Sequence, residues 1–139
     1  MSMPRPQAIV GLVWMGLGVA GTADQAYSIF RILRALPGTT ILDLWGYFPT
    51  TAIGLIFLGL GVGILFRKQW TWTAAMLLSF ALLAYVTFGL FGLFSMIGSP
   101  YYTGSHLARG FVITGALGLA AIATIISYFR DPKPWAELR

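Results

Sequence analysis

Four runs of apolar residues organise the chain, each long enough to cross the roughly 30 Å hydrocarbon layer of a bilayer as a helix of about 20 residues. They cover about 7-24, 49-66, 71-97 and 106-129, and Gly, Pro, Ser or basic residues punctuate the boundaries between them. The first run changes character after Asp24. Ala26, Ile29, Phe30, Leu33 and Leu36 recur at helical spacing while Asp24, Ser28, Arg31 and Arg34 take the other face, which predicts an amphipathic extension at the outer interface. Leu36-Pro37-Gly38-Thr39-Thr40 closes it, because proline cannot continue a helix and glycine accepts the backbone angles that end one.

From Ile41 to Phe48 the chain mixes Asp43, Trp45 and Tyr47 with apolar residues, a content suited to the headgroup level, so all of 24-48 reads as an interfacial segment. Pro49 suits the first turn of the second span, where its missing N-H costs nothing. Arg67-Lys68-Gln69 makes a basic turn before Trp70 and Trp72, which resemble interfacial anchors for the third span. That span, at roughly 27 residues, must tilt or project beyond the lipid. Gly98 to Ser105 reads as a loop with Ser105 as the cap of the fourth helix, and Arg130-Asp131-Pro132-Lys133-Pro134 stops that helix. The expected fold is therefore an all-α integral membrane protein in one membrane domain over 1-139. It is a four-transmembrane-helix bundle with an amphipathic interfacial segment after the first span.

Composition strengthens this pattern. Of 139 residues, 58% are hydrophobic and 9% charged, with a mean hydropathy of +0.80. A soluble domain of this size could not bury that surplus, and a lipid solvent removes the conflict. Arg5, the apolar stretch Ala8 to Val19 and Gly21-Thr22-Ala23 imitate a secretory signal, but the apolar pattern runs past Ala23 into a helix-compatible segment. A retained first span is the expectation.

The net charge of +5 sits at the ends of apolar runs rather than in a basic patch, so nucleic acid is not an expected partner. The distribution instead sets an orientation. Arg5, Arg67, Lys68, Arg130, Lys133 and Arg139 fall on one side, against Arg31, Arg34 and Arg109 on the other, which predicts a multi-pass protein of a plasma or inner membrane with both termini cytoplasmic. With no cysteine, there is no disulfide framework, thiolate metal site or cysteine nucleophile.

Candidate chemistry is sparse. Val13 to Leu17, Ile56 to Leu60, Ala81 to Val86 and Gly115 to Ala120 fall near mid-depth, and none carries an ionisable carboxylate, cation or imidazole. Proton-coupled transport through a buried carboxylate is therefore not expected. Asp24, Gln25 and Arg109 could build a polar site at the outer side, where Asp24 alternatively pairs with Ser28 one turn on or with Arg31 two turns on. His106, the one histidine, could ligate a heme or chlorophyll-type pigment through a ring nitrogen, although a solvated helix-end histidine is the commoner case. No metal site is expected, since the three or four ligands zinc needs are missing. The residues do not name a cofactor, and none need be present.

Small residues are the more informative group, because helices in lipid associate through close packing. Gly59 and Gly63 form a GxxxG, and Ala116, Ala120 and Thr124 repeat at four-residue spacing; both stripes are expected to pack the bundle. In the third span, Phe80, Phe88, Phe91 and Phe94 share one side of a helical wheel, while Ala81, Tyr85, Gly89 and Gly92 take the adjoining face. The division predicts that the small face meets helices and that the phenylalanines meet lipid, another subunit, a quinone or a pigment.

The expected function is a non-catalytic accessory or assembly subunit of a larger membrane complex, bioenergetic in type, with the lipid bilayer and other membrane subunits or further copies of itself as partners. Two alternatives are a small oligomeric channel or transporter lined by Asp24, Tyr85 and Thr87, and a redox or pigment subunit using His106.

Overall fold

The computed structural model describes residues 5-130; the helix stop at 131-134, with Lys133 and Arg139, lies outside them. The fold is all-helical, 87% helix with no strand among the described residues. Four helices follow in order: α1 (Arg5–Ala35), α2 (Phe48–Leu65), α3 (Gln69–Ser95) and α4 (Gly104–Arg130), with a 3-10 helix over Ile41–Tyr47 between the first two. All four α-helices are long and apolar enough to cross a membrane.

The helix ends follow from local chemistry. Gly38 adopts a positive φ of 106°, and the Thr39 N–H returns to the Leu36 carbonyl, so the chain turns after α1. A capping box then starts the 3-10 helix: the Thr40 N–H and hydroxyl both donate to Asp43 Oδ2, at 2.7 and 2.8 Å. Pro49 falls in the first turn of α2, as its lack of an N–H allows. At the far end of α2 the Lys68 N–H reaches the Gly63 carbonyl and the Arg67 N–H reaches Ile64, the paired closure of a Schellman motif. Arg67 takes the left-handed position there with φ 57°, where glycine is usual. The fourth helix begins at Gly104, one residue before the predicted cap. The Thr103 carbonyl accepts from His106 and Leu107, and its hydroxyl lies 3.0 Å from that of Ser105.

The chain divides into two compact units, one ending at Lys68 and the other beginning at Gln69. In the first, α1 and α2 form an antiparallel hairpin. Gln7, Gly11, Trp14 and Gly18 are buried along α1 at alternating four- and three-residue intervals, with Val10 buried beside them, and Gly54, Phe57, Gly61 and Ile64 repeat the alternation along α2. The backbones approach closely enough to exclude side chains at several of these positions. A Cβ at Gly18 would collide with the Leu58 backbone and one at Gly61 with the Met15 backbone, while one at Gly54 would lie 2.7 Å from Thr22 Oγ1. Trp14 and Phe57 fill the space between the glycine levels edge to face, ring centroids 5.2 Å apart at 78°.

In the second unit, α3 and α4 pack antiparallel through Thr71, Ala75, Ser79, Leu82 and Val86 on one helix and Thr114, Gly118, Ala121 and Thr124 on the other, all buried. The buried hydroxyls of Ser79 and Thr124 donate back to the carbonyls of Ala75 and Ala120, one turn earlier in their own helices. Aromatic pairs close both ends: Trp72 with Tyr128 at 4.4 Å and Phe94 with Phe111 at 5.4 Å.

Candidate functional site: helix faces and the turn end of the first hairpin

The residues singled out in the sequence separate into packed, exposed and interfacial groups. Among the small residues, Ala120 and Thr124 are buried and Ala116 is half-buried. Gly63 is buried too, but Gly59 is not: nothing lies within 4 Å of a Cβ built on it. The tight crossing runs instead through Gly11 and Gly18 on α1 and Gly54 and Gly61 on α2. Each pair is spaced by seven residues, two helical turns, and that repeat is the signal in the sequence that would have found them.

On α3 the four phenylalanines are all exposed, Phe88 and Phe91 at 77% and 75%. Phe94 reaches α4 with its edge through Phe111 while remaining largely open. The small face expected beside them shifts by one position in register. Ala81 and Tyr85 are exposed, and the packed line runs through Ser79, Leu82 and Val86 toward Gly89, where a Cβ would lie 3.7 Å from Thr114. Alternating intervals of three and four keep a stripe on one side of a helix, whereas steps of four alone drift around it. Thr87 is exposed and its hydroxyl donates to the Leu83 carbonyl.

At the end of the first hairpin nearest the 3-10 helix, the Thr50 hydroxyl donates to Gln25 Oε1 at 3.1 Å, tying α2 to α1. The Ser28 hydroxyl donates to the backbone carbonyl of Asp24, at 2.9 Å. Arg109, the third member of the predicted polar site, stands on α4 in the second unit. Ser28, Arg31, Ile32 and Ala35 of α1, Leu36 just beyond it and Tyr47 of the 3-10 helix line a cleft of about 310 Å³. His106 is exposed in the first turn of α4. Among the described residues no three His, Cys, Asp or Glu side chains converge as metal ligands would.

No protein-family model, curated protein or solved structure matches the chain. Function therefore has to be read from these faces. Among the described residues, Gln7 Nε2, on a side chain 1% exposed in the first turn of α1, and Ser127 Oγ on α4 are buried with no hydrogen-bond partner. Gln7 enters the sequence pattern as the start of an apolar run, and nothing in its spacing marks it as interior.

Proposed function

We propose that the chain is a multi-pass membrane protein, with both ends of the sequence on the cytoplasmic side, that acts as a non-catalytic accessory or assembly subunit of a larger membrane complex. The observation that carries the reading is the open phenylalanine face of α3. Phe80, Phe88 and Phe91 project from a helix whose opposite side is already occupied by α4. Aromatic rings supply large, rigid contact area at low entropic cost, so such a face suits a second apolar helix. The absence of carboxylates, cations and imidazoles from the mid-depth sequence supports a role in packing over one in transport.

A photo-crosslinking amino acid at position 88 or 91, in the native membrane, tests this directly. The expected result is an adduct with one discrete membrane subunit from position 88 and none from the equally open Leu119 on α4. Lipid adducts alone at both positions overturn the reading. Purification in mild detergent should then recover the same subunit, and the absorption spectrum of that preparation tests the His106 cofactor alternative.

A further inference from the structure

The cleft between the end of α1 and the 3-10 helix combines groups that no packing role requires. Arg31 contributes a guanidinium and Tyr47 a phenol, with the Ser28 hydroxyl at the same end, while Ile32, Ala35 and Leu36 supply an apolar wall. No hydrogen bond or ion pair engages Arg31 or the Tyr47 phenol among the described residues, and the nearby Asp43 carboxylate is taken up by Thr40. A planar cation and a hydroxyl donor beside an apolar wall match an anionic phosphate that carries a hydrocarbon substituent.

Position favours a lipid as its source. Tyr47 directly precedes α2, and Arg31 lies less than two turns beyond the Gln25–Thr50 tie, so the cleft stands at the level where the second apolar span begins. Tyr27, Phe30 and Leu36 of the same extension are exposed, as are Trp45 of the 3-10 helix and Phe48 at the start of α2, an apolar and aromatic rim of the kind that settles among headgroups.

We propose that this cleft binds the phosphate headgroup of an anionic phospholipid in the outer leaflet, Arg31 and Tyr47 engaging the phosphate oxygens and Ile32, Ala35 and Leu36 the start of the acyl region. The assignment rests on the membrane placement above. It makes the interfacial segment a lipid-selective collar around the first hairpin.

The test uses the full chain in nanodiscs of equal parts phosphatidylglycerol and phosphatidylcholine, with the tightly held lipid identified by native mass spectrometry. Phosphatidylglycerol should be retained about five-fold over phosphatidylcholine, the size expected for one well-placed cation. Arg31→Gln should bring the ratio near unity, and Tyr47→Phe should lower it. Ala35→Trp, which fills the cleft without altering charge, should abolish the preference as well, while Arg34→Gln leaves it intact. Equal loss in Arg31→Gln and Arg34→Gln would show diffuse attraction and overturn the site. So would Arg31-dependent binding of inorganic phosphate with no lipid preference, which assigns the cleft to a free anion. A chain that does not enter the bilayer at all refutes the membrane placement together with the site; one that enters without selectivity refutes the site alone.

Discussion

Gly18 and Gly61 are the residues on which the first hairpin turns. A methyl group at either meets backbone atoms of the opposite helix, Leu58 in one case and Met15 in the other, and backbone cannot rotate away as a side chain can. Gly18→Ala and Gly61→Ala are each expected to destabilise the hairpin by about 1–3 kcal/mol, read as a lower midpoint of thermal unfolding in detergent. Gly59→Ala, with open space around the new methyl, should be neutral or raise stability by up to about 1 kcal/mol through the better helix propensity of alanine. Gly110 is intermediate, because its neighbour at 2.7 Å is the movable end of Leu93. The GxxxG pair reads as the contact in the sequence because its spacing is familiar. In a helix as uniformly apolar as α2, no polar face marks the outside, so the buried side is not legible from residue type. Seven-residue glycine spacing shared by both helices carries that information, and only the pairing of the two makes it specific.

Element boundaries were far more legible, since they depend on local chemistry that the sequence states outright. Proline and glycine at 37 and 38 end α1 at Ala35, Pro49 lies in the first turn of α2, and the basic turn at Arg67-Lys68 closes it. The amphipathic extension after Asp24 is continuous helix with the first span, as its periodicity predicts, because its polar face labels its orientation. The phenylalanine face of α3 was legible for the same reason, being distinct in side-chain size, whereas Tyr85 and Ala81 were assigned to packing and stand open. The cleft was not legible at all: it needs Arg31 and Tyr47 from elements joined by a turn whose geometry the sequence does not specify. That turn depends on the Thr40–Asp43 capping box. Thr40→Val removes the hydroxyl donor, and Asp43→Ala removes the acceptor for both bonds. Amide hydrogen exchange across 41-47 should therefore rise modestly in the first variant and strongly in the second, with α2 unaffected. Equal protection in both variants and the native chain would show that the box contributes nothing.

For the whole molecule, the decisive property is the outward character of its four helices. Large apolar side chains such as Leu12, Leu55, Leu77, Phe88, Val112 and Leu119 are open on all of them, which in water would form patches far beyond those a soluble protein tolerates. On the proposed membrane placement lipid covers those surfaces, and the proposed orientation follows from the basic connection at Arg67-Lys68 lying between two connections without lysine or arginine. The chain contains no cysteine, so single cysteines can be introduced without background. Thr39→Cys, Lys68→Cys and Ser99→Cys sample the three connections between the four helices, and labelling intact cells with a membrane-impermeant maleimide reads their sidedness. Positions 39 and 99 should react from outside, and position 68 only after the membrane is opened. Reaction of all three from the same side would contradict the four-pass crossing on which the rest depends.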